Sequence, residues 1–246
     1  MTFSLITYRS WKQIFILFSA FLFLLGLCFL SLQISVIDET AVSHETILNS
    51  VMEEFLRRLP FVSIVIVILN VGFYFINNIV QKLVSMGILR TKLYFDLVSY
   101  LLLISVVFVV MFFFTFFLLN YLQNGKVELP NVNISTILSL TFYSFYLCSF
   151  GGLITLIFWS RLKALCFFIL YLATEYIYEY IVLVKFKNPE FNILPLASVR
   201  RLFFNYLSFT STPIFSVKSF ALPIIYLLTI HIFIYLSFTK RSYPSI

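Results

Sequence analysis

The chain has 246 residues, of which 61% are hydrophobic and only 11% are charged, and its formal net charge is +7. Soluble domains carry about 25% charged residues, so this composition excludes a conventional soluble enzyme and indicates an integral membrane protein. The basic residues cluster at the ends of apolar segments, a pattern typical of membrane topology that argues against nucleic acid as a partner.

Six apolar segments are about as long as the ~20 residues that a helix needs to cross a bilayer. They are residues 14–36, 60–77, 97–122, 134–159, 164–184 and 220–238. Their backbone polar groups have to be satisfied within the membrane, which helices achieve, and the sequence lacks the alternation of barrel strands. We therefore predict an all-α integral membrane protein with six transmembrane helices, forming a single domain over residues 1–246. The first segment is too long for a signal peptide, and we expect it to be retained.

Lysine and arginine residues indicate the orientation of these segments, because short cytoplasmic loops are enriched in them. If the N-terminus is cytoplasmic, nine basic residues lie inside and eight lie outside. Five of those eight fall in the long stretch 185–219, and basic residues in long loops carry less weight. We predict a multi-pass protein of the cell membrane with both termini in the cytoplasm.

The stretch EEFLRR, residues 53–58, overlaps the start of the second segment. It resembles the E-E-x-x-x-R signature of CAAX-type intramembrane metalloproteases, in which glutamates serve a metal-activated water and two histidines complete the site. This chain has two histidines. His44 precedes the motif, and His231 lacks the phenylalanine that the family has four residues before its histidine. A catalytic metal usually needs three protein ligands, so we expect no metal site, and the protease is the weaker alternative.

Four polar residues lie inside the predicted membrane segments, where ionisable groups are costly and are candidates for function. They are Asn70, Glu175, Glu179 and His231. Glu175 and Glu179 share one helical face because they are four residues apart, and a contact between Glu175 and His231 is sterically conceivable. The four residues either lock helices together or line a transport pathway, in which case a proton-coupled carrier is an alternative function.

The stretch 185–219 mixes apolar and basic residues and is interrupted by prolines. It is too polar to cross the membrane and too apolar for a solvated loop, so we predict an interfacial or re-entrant segment between the fifth and sixth helices. None of the six glycines lies in the G-x-x-x-x-G-K-[ST] pattern of a P-loop. If the protein uses ATP, another chain supplies the ATPase.

The stretch NNIVQKLVSMGILRTKLYFD, residues 77–96, separates the second and third segments. Its first half predicts a short helix with apolar and polar residues on opposite faces. The apolar face is Val80, Leu83 and Val84, and the polar face is Gln81, Lys82 and Ser85. Gly87 then interrupts or closes this helix. A loop that only satisfies the positive-inside rule is the simplest interpretation.

In the same stretch, Lys82, Leu83 and Met86 precede the spacing Gly87-x-x-Arg90, and an apolar lead into the third segment follows. This arrangement resembles the first cytoplasmic loop of ABC exporter permeases of the second type, which includes polysaccharide and drug exporters. The resemblance implies six membrane helices with both termini inside and a re-entrant segment between helices five and six. It also implies a coupling helix between helices two and three, which docks on a separate ATPase.

The resemblance further implies a permease subunit of an ATP-driven exporter in a bacterial cytoplasmic membrane, moving a hydrophobic or amphipathic substrate. Such a subunit has no enzymatic activity or cofactor of its own, because the partner ATPase holds ATP and magnesium. It pairs with a second permease subunit, identical or different. The residues expected to contact the ATPase, with Leu83 and Met86 as apolar anchors, are Gln81, Lys82, Leu83, Met86, Gly87, Arg90 and Lys92.

Overall fold

The computed structural model of the protein describes residues 57–72, 79–124, 134–186 and 217–240, together with residues 26, 194, 196 and 199. Within this part of the chain the secondary structure is helical and contains no strand. The helices, numbered in chain order, are α1 (57–72), α2 (Ile79–Ser85), α3 (Arg90–Asn124), α4 (Ile134–Phe158), α5 (Arg161–Ile181) and α6 (Val217–Lys240). A π-helical turn, Val182–Phe186, continues α5.

Four of these helices, α3 to α6, are long and apolar enough to cross a membrane. The all-α prediction is confirmed for the described residues, and these four helices coincide with the third to sixth predicted segments. Helix α1 covers the first part of the second segment, whereas the first segment apart from Gly26, and most of the stretch 187–216, lie outside the described residues. The four helices indicate a membrane protein, and the total of six crossings remains a prediction.

Helix α3 begins at Arg90, not at residue 97 as the sequence predicted. The backbone N–H groups of Lys92 and Leu93 bond to the carbonyl of Leu89 at 3.0 and 3.2 Å, which starts the helix before the apolar run. The hydropathy pattern does not indicate these first turns of α3, because they contain the charged residues Arg90, Lys92 and Asp96. With 35 residues the helix is about 52 Å long, so it exceeds the ~30 Å thickness of the hydrocarbon core.

Helix α4 is the centre of the described bundle and packs against α3, α5 and α6. Its most apolar stretch is 67% buried inside the protein, against 17% for that of α5. Two adjacent glycines of α4 meet different neighbours, because Gly151 lies against Ile64 and Val67 of α1 and Gly152 lies against Leu101 of α3. Small residues at helix crossings let the backbones approach closely.

The contacts between helix ends bring a group of basic residues to one end of the described bundle, whereas Arg57, Arg58, Lys185 and Lys218 stand at the opposite helix ends. Arg90 at the start of α3 bonds to Thr239 at the end of α6, and Arg161 at the start of α5 lies against Gly72 at the end of α1. The contact of Leu101 with Gly152 places the end of α4 on the same side. We call this side the basic end; it carries Lys82, Arg90, Lys92, Arg161 and Lys163.

Helix α2 ends in a turn that depends on glycine, because Gly87 has a φ of +83°, in the left-handed region that side chains resist. The N–H of Gly87 bonds to the carbonyl of Val84 at 3.0 Å, and the N–H of Ile88 bonds to the carbonyl of Leu83 at 3.1 Å. These two bonds define a Schellman motif, which is often accompanied by an apolar contact. Leu83 and Ile88 both pack against the hydrophobic core. Of the two predicted alternatives, that Gly87 interrupts or closes this helix, the structure confirms the second.

Replacing Gly87 with alanine is expected to loosen this turn, because φ is +83° even though the space around the glycine is open. The left-handed conformation costs an alanine about 1 kcal/mol. Hydrogen exchange at the amide of Ile88 should therefore accelerate about fivefold. Gly87→Asn is the matched control, since asparagine tolerates this conformation better. Equal exchange rates in the alanine variant, the asparagine variant and the parent would contradict the turn described.

Candidate functional site

The corner between α2 and α3, residues 86–89, presents two apolar side chains to the outside of the protein. Met86 is 76% exposed and Leu89 is 71% exposed, and the flanking Lys82 and Lys92 are exposed as well. The Schellman turn fixes the backbone before Leu89, and the hydrogen bonds that start α3 fix it afterwards. The corner is therefore a rigid apolar projection with a basic rim.

The seven residues that the sequence analysis assigned to an ATPase contact differ in exposure. The exposed members are Lys82, Met86, Gly87 and Lys92, and the half-buried members are Gln81, Leu83 and Arg90. Leu83 packs against the hydrophobic core, so its side chain is less available to a partner than the sequence suggested. Leu89 was not singled out, yet it is the second apolar side chain of the exposed surface. The exposed apolar side chains of this corner are Met86 and Leu89.

Arg90 joins the start of α3 to the end of α6. Its guanidinium donates a hydrogen bond of 3.0 Å to the backbone carbonyl of Thr239, one of the last four carbonyls of α6, which lack a partner within the helix. A cation at this position also interacts favourably with the negative end of the helix dipole. One turn further along α3, the ring of Tyr94 meets that of Tyr235 edge-on at 5.4 Å. These two contacts hold the corner against α6.

Arg90→Ala is expected to destabilise the protein by about 1–2 kcal/mol, because it removes a charged donor from a helix terminus. Arg90→Lys keeps the positive charge beside the Thr239 carbonyl and should lose less. The free energy of unfolding, measured by denaturation in mixed micelles, distinguishes the two variants. If Arg90→Ala unfolds like the parent protein, the bond to Thr239 contributes nothing to the fold.

His231 of α6 lies where α3 and α4 meet that helix. Its Nδ1 atom is 3.3 Å from the Tyr94 hydroxyl of α3, and its Nε2 atom is 3.2 Å from the Ser149 hydroxyl of α4. Phe145, one turn before Ser149, stacks on the imidazole with a centroid distance of 5.4 Å and an interplanar angle of 18°. Ser149 is fully buried. The sequence analysis identified His231 but neither of its hydroxyl partners.

Glu175 occupies a different place, the contact between α4 and α5, and only 5% of its surface is exposed. The rings of Phe150 and Tyr171 meet at 5.4 Å across this contact. Because the two helices are antiparallel, the next turn brings Tyr146 towards Glu175, which lies one turn after Tyr171 on its own helix. Both ring nitrogens of His231 face hydroxyls instead, so these two described residues do not form the contact that the sequence allowed.

The remaining polar candidates are spread over the bundle. Asn70 is buried in α1, and Glu179 is half-buried one turn after Glu175. Within the described ranges, no group of three or more His, Cys, Asp or Glu side chains could hold a metal ion. Glu53, Glu54 and His44, which the protease alternative requires, lie outside the described residues.

No protein-family model, curated protein or solved structure matches this chain. Over the residues that the structure describes, the fold defines an all-α protein in which four helices are suited to cross a membrane. Two local features stand out from the rest of the described bundle. One is the exposed apolar corner of residues 86–89, and the other is the hydrogen-bonded contact of His231 with two further helices.

Proposed function

We propose that the protein is the membrane-spanning permease subunit of an ATP-driven exporter of the ABC type. Six transmembrane helices, cytoplasmic termini and a re-entrant segment between α5 and α6 belong to this proposal. Helix α2 is then the coupling helix, and the basic end faces the cytoplasm of a bacterial cell. The transported molecule is hydrophobic or amphipathic, which suits a chain with 32 Phe and 15 Tyr.

The observation that supports the proposal most is the exposure of Met86 and Leu89 at the basic end. Eight residues separate Leu89 from the start of the apolar run at Leu97, which corresponds to about 12 Å of helix. In this proposal the corner stands outside the hydrocarbon core, so that lipid tails do not cover the two side chains. A pair of exposed apolar residues with a charged rim is typical of a protein contact, in which a few apolar anchors supply most of the affinity.

A soluble ATPase is the partner that suits this corner. The sequence lacks a P-loop, so binding and hydrolysis of ATP, together with the magnesium ion, belong to the partner chain. The Schellman turn holds the corner on one side, and the bond from Arg90 to Thr239 holds it on the other. A displacement of the bound partner is thereby passed to α3 and α6 as a rigid-body movement, as in other switching interfaces.

A second permease subunit, identical or different, completes the proposed transporter. Helices α5 and α6 present broad apolar surfaces to the outside of this chain, and their most apolar stretches are only 17% and 22% buried. In this proposal, part of that surface contacts the second subunit and lipid covers the rest.

Affinity purification of the full-length chain from its native membranes tests the proposed function. We expect it to bring down a second chain with a P-loop in about equal amount, as in an assembly built from both kinds of subunit. ATPase activity should co-elute with the complex in size-exclusion chromatography, and the isolated permease should hydrolyse no ATP. Recovery of the permease in a stable, folded form without any ATPase chain would contradict the proposal.

A further inference from the structure

We propose that His231 is a proton-binding site, at which the folded protein takes up and releases a proton at the contact of α3, α4 and α6. The imidazole of α6 bridges the Tyr94 hydroxyl of α3 and the Ser149 hydroxyl of α4, at 3.3 and 3.2 Å. This site is separate from the corner, and the inference does not depend on ATP-driven transport.

The chemistry of the two partners is the first argument. A neutral imidazole has one N–H donor and one acceptor nitrogen, whereas the imidazolium has two donors. A hydroxyl both donates and accepts, so Tyr94 and Ser149 satisfy His231 in either protonation state by rotating their O–H groups. A backbone carbonyl or amide at either position would have favoured a single state. His231 can therefore be protonated and deprotonated without losing the hydrogen-bond partner of either ring nitrogen.

The aromatic surroundings are the second argument. Phe145 lies parallel to the imidazole at 5.4 Å, and the ring of Tyr94 meets it edge-on at 6.3 Å. The face of an aromatic ring attracts a cation, most strongly where water is displaced. The contact with Phe145 therefore favours the charged form of His231 without a fixed counter-ion.

Within the described helices α3, α4 and α6, the ring nitrogens of His231 bond to hydroxyls and not to a charged side chain. The charged residues of α3 nearest to Tyr94 in sequence are Arg90, Lys92 and Asp96. On α3, Arg90 lies one turn closer to the basic end, where it bonds to Thr239. Helix α4 has no Asp, Glu, Lys or Arg between Ile134 and Phe158. On α6, Tyr235 packs on Tyr94, and the lysines stand near the two helix ends. Glu175 belongs to the contact of α4 with α5, near Tyr146 and Tyr171.

The position of Tyr94 gives the proton a route to the site. Tyr94 lies only one turn into α3, between the exposed Lys92 and Phe95 of the basic end, and its bond to His231 is only partly buried. Protonation converts both hydrogen bonds of His231 into charge-assisted bonds, which are roughly twice as strong as neutral ones.

Nuclear magnetic resonance of histidine ring nitrogens tests the proposal directly, because the chain has only two histidines. His44→Asn leaves His231 as the single signal of the full-length protein in lipid bilayers. Between about pH 4.5 and 8.5, on both sides of the ordinary histidine pKa, we expect this signal to change reversibly from neutral imidazole to imidazolium. The helical circular dichroism should stay constant over the same range.

Three variants in the His44→Asn background make the test specific. Tyr94→Phe and Ser149→Ala each remove one acceptor of the imidazolium, and each should lower the midpoint of the titration by about one pH unit. Ser144→Ala is the matched control, because this buried serine of α4 is not a partner of His231 and its loss should leave the midpoint unchanged. A ring that stays neutral throughout, midpoints equal in all variants, or loss of helical signal before titration would overturn the proposal and leave a purely structural contact.

Discussion

Gly151→Val is expected to destabilise the protein by about 2–3 kcal/mol, because the added atoms have no room at the crossing of α1 and α4. A Cβ at this position would lie 3.2 Å from the carbonyl oxygen of Ile64, 3.3 Å from its Cα and 3.2 Å from the Cβ of Val67. Two of these neighbours are backbone atoms of a helix, which cannot move without displacing α1. The free energy of unfolding in mixed micelles measures the loss.

The adjacent glycine provides the control for this prediction. A Cβ at Gly152 would meet only the side-chain methyl groups of Leu101, at 3.3 and 3.7 Å. Those atoms are the far end of a flexible side chain, so Gly152→Val should cost about 1 kcal/mol or less. Equal losses in the two variants would mean that α1 does not cross α4 at Gly151.

Met86→Asp combined with Leu89→Asp is expected to abolish recovery of the proposed ATPase with the permease. Each apolar anchor in a desolvated pocket contributes about 2 kcal/mol or more, and an aspartate there would bury an unpaired charge. Each substitution alone should weaken the complex about 30-fold or more. The fold should tolerate both changes, because the two side chains are 76% and 71% exposed in the free subunit. Co-purification of the ATPase and its ATP hydrolysis are the measurements.

Leu162→Asp is the matched control for the corner. Leu162 is 73% exposed and lies at the start of α5, at the same basic end of the bundle. It lies outside the corner, so the aspartate should leave both co-purification and ATP hydrolysis intact. Loss of the ATPase in Leu162→Asp as well as in the corner variants would indicate a general effect of charge at the basic end, and would remove the corner from the proposed interface.

Hydropathy alone predicted four of the described helices well, since an apolar run long enough to cross a membrane has few alternatives to a helix. Hydropathy did not predict the start of α3, because this helix extends beyond the apolar segment of the sequence. The first turns of α3 are polar, so the apolar run begins at Leu97 while the backbone hydrogen bonds begin at Leu89. The end of α4 was predicted at residue 159, and the helix ends at Phe158 because Trp159 adopts a φ of +49°. Nothing in the local sequence favours that conformation for a tryptophan.

The candidate site was predictable only where local chemistry determines it. Gly87 was predictable as the end of α2 because glycine adopts the left-handed conformation readily. The position of Val80 and Lys82 on opposite faces of α2 indicates which face packs inwards. The pairing of His231 with Tyr94 and Ser149 depends on how three helices are rotated and shifted against one another. The sequence has 15 tyrosines, and nothing in it indicates that Tyr94 is the one that pairs with His231. The exposure of Leu89 and the partial burial of Leu83 likewise depend on the turn between α2 and α3.

The most direct test of the central claim is photo-crosslinking from position 86 in native membranes. A photoreactive amino acid replaces Met86, which is 76% exposed, and in a parallel sample it replaces the control residue Leu162. We expect position 86 to yield one dominant adduct with a chain that carries a P-loop, and position 162 to yield none. Adducts with lipid alone at position 86, in a permease that is correctly inserted, would contradict the claim that this corner docks on an ATPase.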